Sequence, residues 1–182
     1  MQLSFLTWAE AQAAIEKSPL AIVPIGSTEQ HGPNGLIGTD ALNAEAVSIA
    51  VGKEAEALVT PVISIGMAQH HLAFSGSITL RPSTMIAFVC DYVFSLARHG
   101  VKKFFFINGH GGNVAPLSTA FSEIYATASL DPTGQVPRLR CVQHNWYDQP
   151  RVRALGAEYY AGKDGSHATA SEVALTQYLF PD

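Results

Sequence analysis

Between residues 26 and 40 the chain reads Gly26-Ser27-Thr28-Glu29-Gln30-His31-Gly32-Pro33, with Asp40 nine residues beyond His31. Glu29 and His31 stand two residues apart, so in an extended stretch their side chains point to the same side. A carboxylate and an imidazole presented in this way can bind a metal ion, and Asp40 can bridge two cations through its two oxygens. Each residue also has a plain structural role open to it: a solvated acid for Glu29, a hydrogen-bonded loop histidine for His31, an N-cap for Asp40. Three ligand-type residues gathered in one otherwise charge-poor loop point to a site.

A second cluster is Ile107-Asn108-Gly109-His110-Gly111-Gly112-Asn113. Its glycines permit backbone angles closed to other residues and let a ligand approach the main chain, and the first amides of a following helix are available to an oxyanion. A third is Gly165-Ser166-His167-Ala168-Thr169-Ala170-Ser171-Glu172, in which Glu172 reads equally as a ligand or as an acid favoured by a helix N-terminus. In the loop holding Lys163, Asp164 and His167, only His167 has the chemistry of a proton shuttle near neutral pH. Of the adjacent His70 and His71, at most one is expected in a pocket. His144, Trp146 and Tyr147 read either as a substrate wall or as packing, and His99 as a partner of a helix C-terminus.

The elements that must position these clusters alternate. Thr7-Trp8-Ala9-Glu10 has the pattern of a capping box and predicts a helix over 7–17. A strand at 21–26 precedes a polar loop and a helix over 40–57; a strand at 58–66 precedes a loop and a helix over 84–99 stopped at Gly100. Lys103–Asn108 is a strand apolar enough to be covered on both faces. It is followed by a helix over 114–128, a strand at 139–144 and a last helix over 170–179. Such alternation predicts an α/β fold, a three-layer α/β/α sandwich with a mostly parallel central sheet. Ligands of such sheets bind beyond the carboxyl ends of the strands, so the loops after Gly26, Gly66 and Asn108 should converge.

With 182 residues, 47% hydrophobic and 14% charged, residues 1–182 read as a single domain with a real core. The eleven Lys and Arg are scattered and the net charge is −4, which argues against nucleic acid as a partner. No apolar run approaches about 18 residues and the N-terminus lacks the pattern of a signal, so no membrane partner and a cytoplasmic location are expected. Cys90 and Cys141 are expected as buried, reduced thiols. No Gly-x-Gly-x-x-Gly opens the first helix and no Walker-type lysine occurs, which sets a nucleotide-binding module aside.

Four segments together resemble the creatininase (creatinine amidohydrolase) family: Gly26–Pro33 continuing to Gly38-Thr39-Asp40, Ser75-Gly76-Ser77-Ile78-Thr79-Leu80, Asn108–Asn113, and Ser166-His167-Ala168 leading to Glu172. The resemblance implies a homo-oligomer, commonly a homohexamer. It also implies hydrolysis of a non-peptide C–N bond of a small-molecule amide with two divalent cations, zinc first, with manganese or iron as alternatives. By position Glu29, His31, Asp40 and His110 match the family's metal ligands, Asp40 the bridge, and Glu172 matches the glutamate that completes the site. His167 matches the histidine beside the substrate and, with Glu172, is the candidate for acid–base work. The chemistry implied is attack by metal-activated water, with His167 or a nearby acid protonating the departing nitrogen. Creatinine-hydrolysing members carry a tyrosine and a glutamate where this chain has Gly111 and Gly112, which weighs against creatinine and moves the fifth-ligand role to Glu172. Thr169 and Ala170 also replace the middle of the family's late motif, and the chain ends short of the family's usual length. Deformylation of a formamidopyrimidine-type compound, trimming of a small peptide, or a metal-binding or assembly protein without turnover are the alternatives.

Overall fold

The apolar run ahead of Glu29 forms the centre of a sheet. In this computed structural model, which describes residues 1–181, strand β1 (Leu20–Ile25) is buried along nearly its whole length and pairs in parallel with β2 (Leu58–Val59) on one side and β3 (Lys103–Asn108) on the other. Strand β4 (Arg140–Asn145) extends the sheet beyond β3, giving the order β2-β1-β3-β4, all parallel. The register sets Ile25 beside Asn108 and Asn108 beside Asn145, so the carboxyl ends of three strands lie level.

Helices cover both faces, as a sheet apolar on both sides requires. On one face α1 (Trp8–Lys17), α3 (Pro82–Ala97) and α4 (Val114–Leu130) bury Ala14, Ile15, Met85, Val89, Val93, Leu117 and Ile124 against Ala21, Val23, Phe104 and Phe106. On the other, α2 (Thr39–Glu54), α5 (Pro150–Tyr160) and α6 (Ala170–Leu179) bring Val47, Val152 and Leu175 onto Ile22, Val59, Ile107 and Trp146. The three layers and the parallel sheet match the sequence reading. The expected strand 58–66 is interrupted: Thr60 donates to the Ile22 carbonyl and Ile63 to that of Pro24, so an extra residue intrudes on this side as in a bulge, and pairing resumes only at a single bridge between Ile63 and Ile25. Helix α5 was not anticipated, although Pro150 at its first position is a start signal. Cys90 and Cys141 are both free and buried. Among the described residues no helix is long and apolar enough to cross a membrane.

Strand order reverses between β1 and β3, because α2 carries the chain from β1 outward to β2 while β3 lies on the opposite side of β1. Loops leaving the two strands therefore part and open a crevice at their carboxyl ends. Two glycines allow the first turn of α2 to reach that crevice: a Cβ at Gly26 would overlap the backbone of Ala41, and one at Gly109 the carbonyl oxygen of Asp40. Gly109→Ala is expected to lower stability by about 1–3 kcal/mol, the scale of an overpacked core, and to displace Asp40. Gly111→Ala, whose Cβ would meet only Tyr147 Oη at 3.7 Å, should melt close to wild type. Thermal denaturation of the two variants checks the pair, and equal melting temperatures would contradict this account.

Candidate metal centre

Asn113, fully buried, ties the three post-strand loops together. Its Oδ1 accepts from the Met67 amide, and its Nδ2 donates to the Gly26 carbonyl and to Asn108 Oδ1. Asn108 in turn accepts from the His110 amide and donates to Oδ1 of Asn145, the last residue of β4. Side-chain amides suit this post because each donates and accepts at once. They hold Glu29, His31 and His110 at one end of the sheet, where the loops were expected to converge.

Four side chains form the floor: Glu29, His31, Asp40 and His110 are 0%, 1%, 3% and 5% exposed. His31 Nε2 lies 3.0 Å from Asp40 Oδ1, and His110 Nδ1 lies 3.1 Å from Asp40 Oδ2 and 3.2 Å from Glu29 Oε1. Asp40 is the second residue of α2, not its cap; Gly38 holds that position. Glu172 enters from the first turn of α6, where it also completes a capping box: its Oε2 accepts from the amide and hydroxyl of Thr169, which leaves the second oxygen uncommitted to the cap. The helix-start role of Glu172 is thus filled by one oxygen, and the other is not used by the cap. His167 is half-buried, its Nδ1 3.6 Å from Glu29 Oε1.

The potential donor atoms fall into three groups, each lying within 4.8 Å of one another: Glu29, Asp40 and His110; His31, Asp40 and Glu172; and Glu29, His31 and His167. Asp40 belongs to the first two. Histidine tautomers follow from backbone carbonyls, which only accept. His31 Nδ1 lies 3.1 Å from the Glu29 carbonyl, His110 Nε2 3.0 Å from that of Met67, and His167 Nε2 2.8 Å from that of Gln30. In each ring the nitrogen left over faces the carboxylates, the outer-shell arrangement that prepares an imidazole for a cation.

Burial opposes charge on His110, His31 and Asp40, yet the partners of each favour its charged form. Burial depresses His110, but the bonds and charges of Asp40 and Glu29 raise it to about 10; His31 is raised against burial by Asp40. Asp40 is held below the usual carboxylate range by His110 and His31, although burial alone would lift it. Both oxygens of Glu29 and Oδ2 of Asp40 nevertheless lack an aligned hydrogen-bond donor. Two buried carboxylates with such oxygens are stable only with positive charge between them.

Gln30 was not singled out in the sequence, and of His70 and His71, of which at most one was expected in the pocket, both line the cavity. Gln30 reaches both His71 and His167, and His71 is buried with its Nε2 3.3 Å from Glu29 Oε1. Burial, helped by the rings of His167, His70 and His110, holds His71 below its usual value against the pull of Glu29. His70 is exposed and lines the cavity above the floor, an opening of about 870 Å³ that also takes in Gly111, Gly112, Tyr147, Asp148 and Arg153. The aromatic trio after β4 divides: Trp146 packs in the core, Tyr147 faces the cavity and the exposed His144 lies against Phe105. A side chain at position 112 would overlap His110 Nε2 and the Met67 carbonyl, so no ligand can come from there.

Comparison with known proteins identifies the family. The model of the creatininase family, described as creatinine amidohydrolase, matches residues 4–182. The chain belongs to the creatininase family. The creatinine amidohydrolase of Pseudomonas putida is 27% identical over 191 residues, covering 97% of this chain and 71% of the relative. The mycofactocin precursor peptide peptidase of Mycolicibacterium smegmatis is 33% identical over 108 residues, 56% of this chain, and the match spans less than half of that relative, 43%. A solved structure of a manganese creatininase superposes with a TM-score of 0.86 at 26% identity, covering 100% of this chain and 73% of the other.

Proposed function

We propose that this creatininase-family chain is a metal-dependent hydrolase that cleaves a non-peptide C–N bond in a small amide, using two divalent cations that share Asp40. The observation that carries the reading is the pair of donor groups, Glu29–Asp40–His110 and His31–Asp40–Glu172, meeting at one carboxylate among buried oxygens without aligned donors. Imidazole and carboxylate donors suit zinc, with manganese or iron as alternatives, and a manganese creatininase is among the structural neighbours. When bound, the cations supply Lewis acidity that acidifies water and polarises a carbonyl oxygen.

The chain's own residues do the rest. Glu29, His31, Asp40, His110 and Glu172 hold the charge. His167, its Nε2–H held by the Gln30 carbonyl, presents Nδ1 to the site and carries a proton to the departing nitrogen, without which an amine leaves poorly. Burial pushes the Tyr147 phenol upward, so it stays protonated and donates to substrate across the cavity. The chain works as a homo-oligomer in this reading.

A second reading, cleavage of a small peptide, is favoured by the match to the mycobacterial peptidase. Elemental analysis of protein purified without added metal is expected to find about two ions per chain, as two-metal hydrolases hold. A panel of cyclic amides, formamides and short peptides then decides: turnover of the first two supports the proposal, and turnover of peptides alone supports the second reading. Stoichiometric metal without any turnover would leave a metal-binding protein.

A further inference from the structure

His71 breaks the pattern of the other histidines. His31 and His110 each set one ring nitrogen on a backbone carbonyl and the other toward the carboxylates; the ring of His71 touches no carbonyl and belongs to none of the donor groups among the described residues. Its Nδ1 lies 3.0 Å from Gln30 Nε2 instead. The orientation of the Gln30 amide is fixed independently, because the Gly32 amide donates to Gln30 Oε1 at 2.9 Å and a backbone N–H requires an acceptor there. The amide nitrogen of Gln30 therefore faces His71, and it can only donate. His71 Nδ1 must accept, its proton sits on Nε2, and Nε2 lies 3.3 Å from Glu29 Oε1. His71 and His167 stack with centroids 4.3 Å apart, and Gln30 Nε2 lies 3.0 Å from Nδ1 of the one and 3.0 Å from Nε2 of the other.

We propose that Gln30 is a positioning residue that sets the tautomer of His71, so that His71 turns its Nε2–H toward the Glu29 carboxylate, and that His71 is not itself a metal ligand. The consequence for metal affinity rests on the reading of Glu29 as a ligand; the tautomer does not. Outer-shell partners of this kind are worth roughly 10–100-fold in metal affinity.

Long-range proton–nitrogen NMR of the imidazoles, on the full chain before and after zinc loading, tests it. His71 is expected to show a bare Nδ1 and a protonated Nε2 in both states, with neither nitrogen taking the shift of a metal-bound one. Gln30→Met, similar in length and without the amide, should give a mixture of tautomers at His71 and weaken zinc binding by roughly 10–100-fold with the amide spectrum otherwise kept. His71→Gln, which can place an N–H near the position of Nε2, should retain most of the zinc affinity that His71→Phe loses. A His71 protonated on Nδ1, a metal shift at either of its nitrogens, or a Gln30→Met variant unchanged in both tautomer and affinity would overturn the proposal. A wild-type chain that takes up no zinc yet keeps the His71 tautomer would defeat the dinuclear reading and leave the role of Gln30 in place.

Discussion

Asp40→Ala is expected to reduce bound metal from about two ions per chain to less than one and to lower hydrolysis by on the order of 10³-fold or more, the scale set by removing a central electrostatic group from an active site. The argument is combinatorial. Asp40 belongs to two of the three donor groups, whereas Glu172 and His110 belong to one each. Its loss leaves Glu29 with His110 and His31 with Glu172, two pairs too sparse to hold ions alone; only Glu29, His31 and His167 stay complete. Glu172→Ala, by contrast, leaves the Glu29–Asp40–His110 group whole and should retain about one ion per chain, half of the complement expected of a two-metal site. Elemental analysis of both variants beside wild type reads the difference. An Asp40→Ala protein with its full metal and turnover would sink the dinuclear assignment.

Metal uptake should also be steeply pH-dependent. In the metal-free chain His110 keeps its proton up to about 10, so a cation arriving at lower pH must displace it. Affinity then rises about tenfold per pH unit for each proton released, and levels off only above the pKa of His110. Competition against a chromophoric chelator at pH 6.5 and 8.5 should show binding at least about 100-fold tighter at the higher pH; a flat profile would remove His110 from the ligand set. The same shift bears on stability. A raised pKa stabilises the metal-free fold fully below the ordinary histidine value of about 6.5, and this contribution is lost as pH climbs through about 10. Asp40, held low, contributes above the ordinary carboxylate range and loses its contribution as acid protonates it. Alkaline weakening of the fold should therefore appear in the metal-free chain and fade once a cation takes the place of the proton.

The layers were legible because the hydrophobic pattern states them directly. Lys103–Asn108 and Ala170–Leu179 fall where the pattern put them, and Thr7 caps α1 with Glu10 as its spacing predicts. Strand β2 was overread because an apolar run does not reveal the extra residue that shifts its register between Thr60 and Ile63. Helix α5 was missed because only Gly156 is buried in it, so no apolar stripe marks it. Chemically unusual residues in loops made Glu29, His31, Asp40 and His110 visible as candidates. Gln30 was not visible, since a glutamine carries no chemistry of its own, and the expectation that only one of His70 and His71 reaches the pocket failed because the short turn at 69–71 brings both rings to the cavity. Nor does spacing reveal that Gly112 excludes a side chain; that follows from the Met67 carbonyl, which lies 45 positions away in the chain.

Because position 112 is closed, the last carboxylate near Asp40 comes from α6, near the far end of the chain. The Glu29–Asp40–His110 group draws only on residues up to 110, whereas the His31–Asp40–Glu172 group is complete only when α6 has docked against α2, where Asn43 Nδ2 meets the Glu172 carbonyl and Asn43 Oδ1 accepts from Thr176. During synthesis the first group can close while the second still waits for the remaining sixty-odd residues. In the proposed two-cation reading, undocking of α6 would open the second group and leave the first intact.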